Sequence, residues 1–381
     1  MEDTGVTLSI PTPSQLQEHV AEVLPGAHGH QVKALAVFVL AILERQTGNQ
    51  ADLTRELGNQ EAALRRLSRL IHNPRLAPHQ LAEAILAYAL AQLPARGPVR
   101  LTIDWTSEGD QHLLIISLVI GGRAIPIFWR AYQASMLKGR MQRYELSVLQ
   151  RVLTRLSRVV NLKRVLLTAD RGFADVALID LLETWQIAFI LRVKSNIKVK
   201  YHGQWCRLGS LRFAGNTRRR RLGHVEYCAS SPHRVWLSHC RVRNAKGEWE
   251  IWYLVSNRAY RAGQAAAEYG RRFACEEGFR DAKATLGFAQ ARIRDIHAWS
   301  RMFALFVIAM GVLVRLGLVL LTARNPQAQT LLRRVASRRC DRWDVSVFNA
   351  MLLLLKQDKS LFAFLSTHTI LDLEARLVTV S

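Results

Sequence analysis

The change of hydrophobic period at Val99 constrains this chain more than any other feature. Up to about residue 95 the apolar side chains recur at helical spacing; from Val99 they alternate. Three runs, VRLTIDWTS, HLLIISLVIGG and RAIPIFWRA, are rich in β-branched and aromatic residues. The polar turn Ser107 to Gln111 and the pair Gly121-Gly122 separate them, so they read as an antiparallel meander. A helical pattern follows at about 140–160, then a strand from Arg164 to Ala169, a helix from Asp175 to Trp185 and a strand from Ala188 to Val193. The order β-β-β-α-β-α-β predicts a sheet that is antiparallel at first and then parallel through right-handed crossovers.

That order is the one of a ribonuclease-H-like domain. The expected fold class is therefore mixed α/β: a five-stranded mixed sheet with helices, interrupted by a β-rich insertion at about 197–250 and flanked by helical N-terminal and C-terminal regions. The boundaries expected are 1–95, 96–325 and 326–381. After the insertion IWYLVSN returns to strand, and helices are expected from about Gly263 to Ala284 and from His297 to Thr322.

Charge narrows the partner. The 381 residues carry a net +23, a surplus that opposes compaction unless a polyanion shares it. Between 201 and 246 ten basic residues, Arg218, Arg219, Arg220 and Arg221 among them, face one acid, Glu226, with Tyr201, Trp205, Phe213, Tyr227 and Trp236 interleaved. Arginines mixed with flat rings are expected to grip phosphates and stack on bases. His202 with Cys206, and His224 with Cys228, mimic zinc-ligand spacing. In strands those pairs stand ~13 Å apart, too far to chelate without a turn.

In the N-terminal region Ala51 to Leu57 is a short helix stopped by Gly58, and Asn59 can cap the next, QEAALRRLSRLIHN. Together they form a helix-turn-helix-like unit displaying Arg65, Arg66 and Arg69, or else an ordinary bundle with a solvated basic face. Phe303 to Leu321 is apolar enough to span a bilayer despite Arg315, which costs about 2.5 to 3.5 kcal/mol at the centre. With no second span to pair with, a buried core helix is the better reading. Five dispersed cysteines without a C-x-x-C, and no secretory signal in the first thirty residues, point to a reducing cytoplasm.

Carboxylates at strand ends carry the chemistry. Asp104 lies in LTIDWT, whose Leu101, Ile103 and Trp105 mark a largely buried strand; Asp170 ends VLLTAD before the turn Arg171-Gly172-Phe173. If the first and fourth strands are neighbours these acids converge, and sharing a divalent metal is the cheapest way to keep both ionised. A third acid is expected from YGRRFACEEGFRDAK, where Tyr269, Arg272, Glu276 and Lys283 at i, i+3, i+7 and i+14 share a helical stripe. Glu277 is turned about 100° away, placed to pair with Arg280. Asp175, Asp180 and Glu183 suit a helix cap and solvent.

The spacing Y-x2-R-x3-E-x6-K, with LTIDWT and LLTADRGF upstream, resembles bacterial insertion-sequence transposases of the DDE type, in the branch that carries its last glutamate in this signature. The resemblance spans roughly residues 40 to 325. It implies two Mg2+ ions, with Mn2+ as a substitute, held by Asp104, Asp170 and Glu276 for cleavage and strand transfer of DNA. It further implies that Tyr269, Arg272 and Lys283 bind a phosphate at the strand's end. Trp252 either stacks on a flipped base, as in some members, or is a core tryptophan. Residues 1–95 would bind element ends. The partners implied are double-stranded DNA, as element ends and target, and a second copy in a synaptic dimer. Two other readings stay open: an inactive DNA-binding derivative that inhibits, and a membrane-associated basic protein.

Overall fold

The computed structural model describes residues 13–211, 218–244, 246–322, 330, 332–339, 342–343 and 346–357. The first twelve residues, Arg212 and Phe213 of the basic run, Cys340 and much of the 326–381 region lie outside them.

Five helices come first: α1 (Pro13–Val23), α2 (Gly29–Arg45), α3 (Gln50–Thr54), α4 (Gln60–Ile71) and α5 (Pro78–Ala91). Asn59 caps α4 by accepting from the Ala62 N–H at 3.0 Å, which satisfies one of the donors a helix start leaves free. The alternating runs then form β1 (Val99–Glu108), β2 (Gln111–Ile120) and β3 (Arg123–Gln133). Gly121 and Gly122, both at positive φ, make the two-residue turn between the last pair, the conformation that matches strand twist. Next come α6 (Ala134–Leu137), α7 (Met141–Leu156), β4 (Val165–Ala169), α8 (Val176–Thr184) and β5 (Ala188–Val193). Asp175 caps α8 at 2.8 Å from the Leu178 N–H. β4 pairs parallel to β1 and β5 parallel to β4, so the core order is β3-β2-β1-β4-β5.

The insertion does not stand apart from this sheet. It holds β6 (Lys198–Tyr201), β7 (Gln204–Arg207), β8 (Arg219–Tyr227) and β9 (His233–Arg243), and returns as β10 (Trp249–Ser256). β10 pairs antiparallel with β5, closing the edge that β5 would otherwise expose. One ten-stranded sheet results, continuing β5-β10-β9-β8-β6-β7.

Alternation gives the central strands two buried faces. Leu167, Phe189, Leu191, Tyr253 and Val255 join the large cluster on one face, while Leu166, Ala188, Ile190, Trp252 and Leu254 pack on the other against α9 (Ala262–Gly270). The large cluster also takes in α1, α2, α4 and α5, so the core runs on across residue 95.

The helix expected over 263–284 is four segments rather than one. α9 passes into a 3₁₀ turn at Arg271–Phe273, then α10 (Ala274–Arg280), then a π turn at Asp281–Thr285, where the Leu286 N–H reaches back to the Asp281 carbonyl at 2.8 Å. Anchoring on β3 accounts for the break. Buried Arg123 meets Glu277 at 3.0 Å and Asp281 at 3.3 Å. Gly278 lies so close that an added Cβ would stand 2.6 Å from the Ala124 carbonyl oxygen. Gly278→Ala is therefore expected to push α10 off β3 and cost about 1–3 kcal/mol, read as a lowered denaturation midpoint.

Helix α11 (Ile296–Thr322) is the apolar stretch. Ile296–Leu318 is long and apolar enough to cross a membrane, yet 83% of its most apolar window is buried inside the protein. It packs against α2, α4, α5, β3 and the helix Val347–Gln357. Trp129 of β3 donates its indole N–H to Ser300 at 3.0 Å, and Arg315 reaches the Tyr88 hydroxyl at 3.4 Å. This is a core helix.

Candidate active site

Strand register sets the first two acids side by side. Ile103 of β1 is level with Ala169 of β4 in the parallel pair, so Asp104 and Asp170 each follow the last paired residue at the same end of neighbouring strands. Alternation also puts Arg100, Thr102 and Asp104 on the face that α9 and α10 cover, and each meets that helix run. Arg100 forks onto Glu268 at 2.7 and 2.9 Å. The Cys275 thiol donates to the Thr102 hydroxyl at 3.5 Å. Arg272 donates to Asp104 at 2.9 Å. The other arm of the same guanidinium holds Glu276 at 2.8 Å, and the Tyr269 hydroxyl donates to Asp170 at 3.2 Å. Three carboxylates from three distant segments thus meet one Arg–Tyr pair.

Burial pushes the Asp104 carboxyl up to about 6; Arg272 and the Trp105 N–H, 2.9 Å away, pull it down, while Asp170 and Glu276 add to the rise. Burial works against the charge on Arg272, but Tyr269 and the three acids outweigh it and hold its pKa above the ordinary arginine value. Burial raises Tyr269 as well, so it stays a neutral donor. The donor set is all carboxylate oxygen, the hard chemistry that Mg2+ and Mn2+ take, and Glu276, 56% exposed, has room to turn. Among the described residues no three His, Cys, Asp or Glu side chains already form a metal cage. Arg272 supplies the positive charge among the acids here.

The other residues singled out in the sequence divide. Lys283 lies in the π turn, bonded to the Ser107 carbonyl and 3.7 Å from Glu108. Tyr269 and Arg272 are buried, and both meet protein acceptors rather than facing open solvent. Trp252 is buried too, stacked on Phe273 at 5.5 Å and edge-on to Tyr269 at 5.0 Å, with its N–H on Glu250. It forms part of the core under the site. In the insertion Arg218, Arg241 and Arg243 stand over Trp249 at 5.6, 4.8 and 5.1 Å, and Arg221 over Trp236 at 5.1 Å; Arg219 and Arg220 are exposed on β8. Arg65, Arg66 and Arg69 are exposed on α4, Arg65 paired with Glu61. Glu277 pairs with Arg123 and Arg280, away from the cluster. Asp180 and Glu183 approach His233 at 3.4 and 3.8 Å.

Sequence reasoning missed Glu145. Its buried carboxylate accepts the Trp105 indole N–H at 2.7 Å, and burial raises its pKa. It thereby fixes the residue next to Asp104. The signal was present: Glu145 precedes the buried Val148 and Leu149 of α7 by three and four residues, so an acid stands on the apolar stripe.

Residues 136–310 match the family model described as the transposase DDE domain. Residues 136–310 carry a transposase DDE domain. The match includes Asp170, Glu276 and the whole insertion, and begins after Asp104, which enters the site through strand register alone. No curated protein matches the chain. The transposase DDE domain is a polynucleotidyl-transfer unit that acts on DNA and generally depends on divalent metal, and its ribonuclease-H-like fold agrees with the strand order above.

Proposed function

We propose that Asp104, Asp170 and Glu276 are the three metal-holding acids of an insertion-sequence transposase of the Y-x2-R-x3-E-x6-K branch. The observation that carries this reading is the single buried guanidinium of Arg272, bonded to Asp104 and Glu276 while its neighbour Tyr269 holds Asp170. A charged network of this kind is costly to bury without a use. Two bound Mg2+ ions, or Mn2+ in their place, would supply charge that sharpens a water or a 3′-hydroxyl as nucleophile and steadies the leaving oxygen of an in-line displacement.

The protein's own part is positioning. Glu145 holds Trp105, and the Trp105 N–H orients the Asp104 carboxylate. Tyr269 orients Asp170, and Arg272 keeps Asp104 and Glu276 facing one another. When DNA enters, Lys283 exchanges its Ser107 carbonyl for a phosphate at the strand's end, and Arg272 and Tyr269 lie behind it as further donors. Arg218 to Arg221 serve the strand along the insertion, and Arg65, Arg66 and Arg69 hold element-end duplex against residues 1–95. In this arrangement Trp252 supports Tyr269 from the core. Synapsis of two ends calls for a homodimer.

The competing reading, an inactive DNA-binding derivative, is disfavoured because all three acids and their holding groups are in place. The test is cleavage of duplex carrying the sequences that flank the coding region. The expected result is a nick at the element end in Mg2+ or Mn2+ and none in EDTA. DNA binding without metal-dependent product would favour the inactive derivative.

A further inference from the structure

Helix α7 carries Arg143, Arg151 and Arg155, and Arg158 lies in the turn that follows its end; all four are exposed, and with Arg130 of β3 they line an open groove of about 740 Å³. At 100° per residue the three helix positions fall within roughly 120° of arc and extend along about 18 Å of axis, and Arg158 follows just past the helix end. Among the described residues one acid pairs with these arginines: Glu83 of α5, whose carboxylate takes Arg151 and Arg155. Among the described residues Arg130, Arg143 and Arg158 form no ion pair. Glutamine, serine, threonine and one leucine complete the lining, and no aromatic ring is present.

That lining differs in kind from the insertion, where three arginines surround the half-exposed Trp249. Single strands are held on rings that stack with bases; a duplex hides its base faces and offers phosphates. A duplex presents about one charge per 1.7 Å of axis, so a seat of about 18 Å meets roughly ten phosphates. From this contrast we infer that the α7–β3 groove seats the backbone of a DNA duplex without reading its sequence, a second DNA surface beside that of the insertion. In the chain it begins two residues before Glu145, the support of Trp105 and Asp104, so the duplex it holds lies on an element tied to the active site. The inference rests on the DNA-acting reading above but needs no catalysis.

The test uses the full chain without metal, with fluorescence anisotropy on a random-sequence duplex and on a single strand of equal length across a KCl series. Arg143→Gln/Arg151→Gln/Arg158→Gln is expected to flatten the slope of log K against log[KCl] for duplex by about 2–3, near 0.9 for each phosphate no longer neutralised, and to leave single-strand binding unchanged. Arg143→Gln alone should flatten it by about 1, which keeps the test open if the triple variant folds poorly. Glu83→Gln, which frees two arginines, should tighten duplex binding severalfold. An unchanged duplex slope in both arginine variants, or equal losses on both DNAs, overturns the proposal. The slope is read without metal and so reports the groove alone, whereas failure of the catalytic reading would show as absent Mg2+-dependent cleavage by the wild type; the two failures are told apart.

Discussion

Glu276→Gln is expected to lower Mg2+-dependent DNA cleavage by roughly 1,000-fold or more, about 4 kcal/mol of transition-state stabilisation, whereas Glu277→Gln keeps cleavage within a few-fold. The two acids are chain neighbours, so the contrast isolates placement from charge. Glu276 faces Arg272 and through it Asp104; Glu277 faces Arg123 and Arg280. Loss of the Glu277 charge removes one partner of the buried Arg123, which still has Asp281 and the Ser346 hydroxyl. It should therefore cost about 1 kcal/mol of stability and little rate. Single-turnover cleavage beside urea unfolding separates these outcomes. Equal rate losses in the two variants would mean that the glutamate has been misassigned.

Arg272→Met should be the most destabilising change at the site, by about 3 kcal/mol, because it strands Asp104 in a buried place without its counter-charge. Most of that cost belongs to Asp104, whose side chain is 19% exposed; Glu276, at 56%, is screened by water and adds little. Arg272→Lys should recover only part of it, since one ammonium cannot fork onto two carboxylates as the guanidinium does. Asp104→Asn in the Arg272→Met background should restore stability, as no charge is then left unpaired. If the acids hold metal, Mg2+ should raise the urea midpoint of Arg272→Met more than that of the wild type, by supplying the charge the variant lacks. Additive losses in the double variant would show that the two side chains do not share their energy.

Much of this was legible from residue pattern. The period of two revealed β1 to β3, and apolar flanks marked Asp104 and Asp170 as acids on buried strands; Asp170 follows the end of β4 as expected, whereas Asp104 lies inside β1, which runs on to Glu108 beside β2. Asn59 and Asp175 stood where helices begin and became caps. What the pattern could not show was set by contacts distant in sequence. The 3₁₀ and π turns that split the helix around Arg272 depend on Gly278 touching Ala124 and on Arg123 reaching Glu277 and Asp281. A uniform 3.6-residue count sees neither. Arg272 itself read as a phosphate ligand, and its turn toward Asp104 required the face of β1 to be known. Trp252, left open between base stacking and core, is buried because Phe273 and Tyr269 close over it. The apolar helix from Phe303 to Leu321 could not be assigned by hydropathy, which measures composition and not what surrounds it.

Whether Asp104, Asp170 and Glu276, far apart in the chain, hold one metal can be read from the backbone itself. Ferrous ion, substituting for Mg2+ with ascorbate and peroxide, cuts the backbone beside its own binding place. Fragments are expected to end near residues 104, 170 and 276 in a single sample, all suppressed by excess Mg2+ and all lost in Asp104→Asn. Cuts confined to one of these segments, or cuts indifferent to Mg2+, would contradict a shared site.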